Sequence, residues 1–114
     1  MNGYEKLQAT VSAVLPCCHM AWPKGKAPAL PWAVFYVDQT EPVGEDGGYC
    51  EKVDWIVEVY QRARDATVEK ALAKALRSEY GAVSKDESWV SDEDCLMTVF
   101  RFCDYQEVED GEEE

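Results

Sequence analysis

Residues 15–23 read LPCCHMAWP, and the Cys17-Cys18-His19 run at their centre joins two thiols to the only histidine of the chain. Any site that uses imidazole must therefore pass through His19. A structural zinc site needs four converging donors, usually paired as Cys-x-x-Cys or His-x-x-x-His on a turn or one helix face. Three consecutive side chains diverge instead, and the remaining acids show no ligand spacing. Thiol catalysis needs a thiolate, a base within hydrogen-bond reach and a third group that orients the base. Cys18 and His19 are chain neighbours, which seldom face each other. The GEDGG run at 44–48 lacks the order of a phosphate-binding loop. With 23 acidic residues in the chain, any one pair of carboxylates is weak evidence for glycoside chemistry. The residues point away from an enzyme and imply no metal and no cofactor.

The elements that would position these residues follow from periodicity. In residues 4–15, Leu7, Val11, Val14 and Leu15 recur at helical spacing and Pro16 stops the run. The following PCCHMAWPKGKAPALP is too rich in proline for a regular element of normal length, although CHMAW has room for a short edge strand. PWAVFYVDQ, from Pro31, is aromatic, β-branched and apolar on both sides, as a strand covered on two faces is. TEPVGEDGG then reads as a turn-rich loop. YCEKVDWIVEVYQRA gives the strongest strand signal, with Val53, Trp55, Val57 and Val59 alternating with Asp54, Ile56, Glu58 and Tyr60. The first set is core; the second is mixed, hence wet or partner-facing. Asp65 suits a helix N-cap and Gly81 a C-terminal stop. Between them Val68, Leu72, Ala75, Leu76 and Tyr80 form one stripe. KDESWVSDEDCLMTVFRFCDY reads as two strands joined by SDED, with Leu96, Thr98, Phe100 and Phe102 on one face. The sum is an α+β domain: a mostly antiparallel sheet of four to five strands with two helices packed on one side.

Composition bounds the rest. The 114 residues support one domain, expected over 1–103, and 46% hydrophobic with 30% charged residues suits a folded soluble chain. No apolar run is long enough to cross a membrane, and MNGYEKLQAT is not a signal peptide. Five cysteines without such a signal are expected to be free thiols in a reducing cytoplasm. Cys95 and Cys103 cannot pair within one strand, because eight residues hold them about 26 Å apart. The net charge of −12 argues against direct nucleic-acid binding, which needs a basic footprint. Residues 104–114, DYQEVEDGEEE, hold seven of the acids and no Lys or Arg. They read as a disordered solvated tail or as an acidic arm for a basic partner.

Two surfaces stand out for contact. Lys70, Lys74 and Arg77 share a helix face, where like charges gain nothing from one another. Trp22 and Trp32 border the Pro-rich segment, and large aromatics anchor interfaces.

The run ALPWAVFYVDQTEPVGEDGGYCEKVDWIVEVYQRARDATVEKALAKAL resembles the tail terminator, or tail completion, proteins of long-tailed bacteriophages and prophages. The likeness extends in order over nearly the whole chain. An N-terminal helix precedes a Pro-bearing segment like Ala27–Pro31, and the strand from Pro31 to Asp38 ends in a short polar loop. Tyr49 leads into a long strand, an Asp-initiated helix follows, and the last strand pair ends in VFRF at 99–102. The cysteines, the added PCCHMAWPKGK length and the acidic tail depart from the pattern. The resemblance implies a structural α+β subunit that assembles with itself as a ring, expected to be hexameric. Such a ring caps the tail tube, ends its polymerisation and meets the head-tail connector. It would act first in the bacterial cytoplasm and then in the virion, at the head-proximal end of the tail. A neck or head-completion protein and a ferredoxin-like binding domain stand as the alternatives. On this reading the contact residues are Trp22, Trp32, Glu45, Asp46, Tyr49, Lys70, Lys74 and Arg77.

Overall fold

The computed structural model describes residues 3–44 and 50–107. Its elements run α1 (Gly3–Ser12), β1 (Cys17–His19), β2 (Trp32–Val43), β3 (Cys50–Gln61), α2 (Ala66–Tyr80), β4 (Ser84–Val90) and β5 (Cys95–Glu107). The strands form a single sheet in the order β1-β2-β3-β5-β4. Every neighbouring pair is antiparallel except β1 and β2, which run parallel. The expected α+β architecture is the observed one.

Two-residue alternation decides which face meets the helices. Val53, Trp55, Val57 and Val59 of β3 point to one side, together with Phe35 of β2 and Phe100 and Phe102 of β5. Leu7 and Val11 of α1 and Leu72, Ala73 and Leu76 of α2 close over them to make the core. The opposite face carries no helix. Its register rows set Trp32 beside Tyr60 and Met97, Val34 beside Glu58 and Val99, and Tyr36 beside Ile56 and Arg101.

α1 ends at Ser12, three residues before the expected stop. The chain tightens there, with the Val14 amide donating to the Val11 carbonyl at 2.9 Å. In α2 the buried stripe is Glu69, Leu72, Ala73 and Leu76. It is turned from the expected one, so Ala73 rather than Ala75 meets the sheet. Lys6 of α1 pairs with Glu79 of α2 at 3.7 Å and lies 4.8 Å above the Tyr80 ring, which ties the two helices together.

Strands β2 and β5 are longer than the sequence signals suggest. Thr40–Val43, expected in a loop, pair with Cys50–Val53. A bulge makes this possible: Val37 faces Trp55 and Gln39 faces Asp54, leaving Asp38 as the extra residue. The insertion inverts the alternation, so the apolar run before it and the polar run after it serve one continuous strand. Likewise β5 continues through Asp104–Glu107, paired back to Cys50–Val53. The first four residues of the expected tail are thus strand, and 108–114 lie outside the described residues.

Both ends of α2 obey local chemistry. Asp65 Oδ1 accepts from the amides of Thr67 at 3.0 Å and Val68 at 3.3 Å. Gly81, at φ 87°, donates its amide to the Arg77 carbonyl at 2.9 Å, a left-handed turn that a residue without a Cβ takes at no steric cost. Asp65→Ala is expected to lower the unfolding free energy by about 1 kcal/mol, while Asp65→Asn, which still accepts from those amides, loses only a few tenths. Urea denaturation of the three proteins measures the difference.

Candidate functional site

The Cys17-Cys18-His19 run forms β1, and its parallel pairing with Ala33, Val34 and Phe35 sends successive side chains to opposite sides. Cys17 belongs to the core, with its Sγ 3.7 Å from the Gln8 carbonyl oxygen. Burial pushes its thiol up to about 11, and the neighbouring Cys18 adds to the shift. Cys18 Sγ reaches the Ala21 carbonyl at 3.2 Å. The His19 ring packs edge-on to Tyr4 at 4.6 Å and tilted to Phe35 at 5.3 Å, on the side of the core. Cys18 and His19 therefore diverge. All five cysteines are unbridged. Among the described residues, no three His, Cys, Asp or Glu side chains gather where they could hold a metal ion.

At pH 8 a thiol titrating near 11 is only about one-thousandth thiolate, the form that reacts. Iodoacetamide at that pH is expected to alkylate Cys18 well before the buried Cys17. Peptide mass spectrometry over a time course reads the order, and labelling in 8 M urea should erase it.

The stronger constellation lies on the open sheet face. The chain leaving β1 folds back over it, so that residues 20–27 roof a cleft of about 380 Å³. Trp22, from the roof, meets Trp32 of β2 edge-to-face at 6.1 Å, and Trp32 lies 4.9 Å from Tyr60 of β3. The two tryptophans singled out in the sequence thus come together. Beside them Glu58 lines the cleft and accepts two phenolic hydrogen bonds, from Tyr36 to Oε2 at 2.5 Å and from Tyr60 to Oε1 at 2.7 Å. Burial, and then the bond to Glu58, push Tyr36 up to about 12 and Tyr60 higher, so both remain donors at neutral pH. Glu58 forms no ion pair with any Lys or Arg of the described residues. The Trp22 indole N–H is buried with no acceptor among them.

Lys70, Lys74 and Arg77 are exposed on α2, on the helix-covered side of the sheet. Lys70 and Arg77 line a groove with Arg64, Glu69 and Lys85. Arg64 and Lys85 there are neutralised: Lys85 Nζ lies 3.1 Å from the buried Glu69, and Arg64 pairs with Glu87. Lys70, Lys74 and Arg77 have no carboxylate partner among the described residues. Glu45, Asp46 and Tyr49, the other expected contact residues, lie outside the described residues.

Sequence reasoning missed Tyr36, Glu58 and Tyr60 as a unit. Alternation had placed Glu58 and Tyr60 on the mixed face of β3, but only the register with β2 brings in Tyr36. It missed Glu69 as well, because nothing in a helical repeat marks which glutamate is buried. The edge strand β4 also exposes Trp89, more than half of whose surface is open to solvent.

No helix among the described residues is long and apolar enough to cross a membrane. No protein-family model matches the chain, and no curated protein matches it.

Proposed function

We propose that this chain is a structural subunit of phage or prophage tail assembly, one that caps the tail tube, ends its polymerisation and forms the surface at which the head joins. The observation that supports this reading is the unlikeness of its two faces. One side of the sheet presents cations on α2 with no carboxylate partner among the described residues, and the other presents an aromatic cleft with an acid. A subunit that offers unlike, complementary surfaces on opposite sides can associate head to tail, and head-to-tail contacts close into rings when the rotation permits. The resemblance of the 29–76 run to tail terminators supplies the assembly in which such a ring acts.

The test is a tube-length assay. Purified tail-tube protein from the same phage or prophage is polymerised with increasing amounts of this chain and imaged by negative-stain electron microscopy. The expected result is shorter tubes, each bearing a ring-shaped density at one end. Tubes of unchanged length with bare ends, at saturating protein, would overturn the proposal. Because a ring can assemble on the tube rather than in free solution, native mass spectrometry of the free protein complements the assay without replacing it.

A further inference from the structure

We propose that the cleft on the open sheet face is a guanidinium site, and that Arg77 of a second copy fills it. This inference rests on the head-to-tail assembly proposed above and specifies its contact.

The cleft has the parts that recognise an organic cation. The rings of Trp22, Trp32 and Tyr60 line it, and a cation set over such ring faces is attracted by their quadrupoles. Glu58 supplies the opposite charge. Each of its carboxylate oxygens already accepts one phenol, yet each has a second lone pair, so the group can still accept from a planar pair of N–H donors. The two tyrosines hold the carboxylate in one orientation before anything arrives, which lessens the ordering that binding requires. A guanidinium is planar, stacks on aromatic rings and binds carboxylates bidentately; an ammonium does the last only as a point charge. One cation, Lys24 in the roof, also lines the cleft. It opposes an incoming positive group and so weakens the site.

The source follows from topology and charge. Arg77 is exposed on α2, has no carboxylate partner among the described residues and lies on the helix-covered side of the sheet. The cleft lies on the opposite side, so Arg77 cannot reach the cleft of its own copy. It can enter only that of another, and the contact then repeats from copy to copy. Arg64, Lys85 and Arg101 are already engaged by Glu87, Glu69 and Asp86, and Arg62 stays on the cleft's own side of the sheet, where it lines the neighbouring cavity with Trp32 and Tyr60.

Two experiments test the two halves. In the first, dilute protein is titrated with methylguanidinium while tryptophan fluorescence is followed. Saturation on the order of millimolar is expected, as suits so small a ligand. Glu58→Gln should weaken it at least tenfold, Lys24→Gln should tighten it, and Arg77→Gln should leave it unchanged. The opposed effects of Glu58→Gln and Lys24→Gln cannot both come from a folding defect. A flat titration of the wild-type chain overturns the guanidinium site. In the second, concentrated protein is examined by native mass spectrometry, alone and on tail-tube ends. Glu58→Gln and Arg77→Gln should each abolish assembly. Mixed one to one they should give a dimer that stops there, because one copy keeps an intact cleft and the other an intact Arg77. Assembly of Arg77→Gln as strong as wild type overturns Arg77 as the occupant. Both failures leave the tube-length assay with wild-type protein unaffected. Conversely, a chain that passes both experiments but never shortens tubes overturns the proposed function alone.

Discussion

Trp55→Ala is expected to lower the unfolding free energy by about 3–5 kcal/mol, the range for emptying a buried aromatic site. Trp55 is 1% exposed and sits where α1 meets the sheet. Its ring packs edge-on against Tyr4 of α1 at 5.2 Å and tilted against Phe35 at 6.2 Å. On β3 it faces Val37 on one side and Phe102 on the other. The helix that would have to collapse into the void is short, ten residues, and two buried side chains, Leu7 and Val11, anchor it. A chain of this size has roughly 6–17 kcal/mol of stability in all, so the loss is a large share. Urea melts should show a lower midpoint with a similar slope, and Trp55→Phe should fall between the two. Amide exchange should speed up first in α1 and only later in α2. A change below about 1 kcal/mol would contradict the packing of α1 on the sheet.

The second large effect concerns the buried carboxylate of α2. Glu69 is 5% exposed and ties α2 to two strands and the segment before it: Lys85 Nζ of β4 lies 3.1 Å away, Thr98 Oγ1 of β5 donates at 3.3 Å, and Arg64 Nε, between β3 and α2, stands at 3.9 Å. A buried charge left without its partner is far more costly than the pair is favourable. The double variant Lys85→Met with Arg64→Met is therefore expected to lose about 2–3 kcal/mol. A fully enclosed pair would lose about 3–5, but both cations here are about half exposed, and solvent already weakens their attraction. Adding Glu69→Gln to that background should recover part of the loss, since a neutral amide needs no cation and can still accept from Thr98. Thermal and urea melts of the wild type, the double and the triple variant measure this. A triple variant less stable than the double would show that Glu69 keeps its charge without help from Lys85 or Arg64.

The elements were legible because their signals are local. Alternation along β3 marked Val53 to Val59 as the core side. The cap at Asp65 and the stop at Gly81 framed α2 within a residue. The chain could announce these because neighbours in sequence are neighbours in the element. Where a long-range pairing intervened, the local reading failed. The polar stretch after Val37 looked like a loop, since only the partner strand reveals that Asp38 is a bulge and that Thr40–Val43 continue the ladder. Asp104–Glu107 looked like tail for the same reason.

The triplet Cys17-Cys18-His19 shows the division for chemistry. Sequence adjacency already argued that its donors diverge, and the pleat of β1 sends them apart. What spacing did not reveal is that Cys17 would join the core and that His19 would pack on Tyr4 and Phe35. The cleft was still less visible. Trp22 and Trp32 drew notice through residue type and their place beside the Pro-rich segment, but the group with Tyr36, Glu58 and Tyr60 draws on the roof segment and two strands.

By itself, then, the sequence determined the centres of the helices and long strands, the core face of β3, and how charge is spread along the chain. These depend on periods of two and 3.6 residues and on caps within a few positions. The tertiary structure alone decided which polar residues meet: Glu58 with two phenols, Glu69 with Lys85, and Arg77 with no acid among the described residues. A hydrogen bond or ion pair forms over about 3 Å, whereas one step of strand register moves a side chain to the other face of the sheet. Such contacts are settled only when the strands have paired and the helices have closed over them.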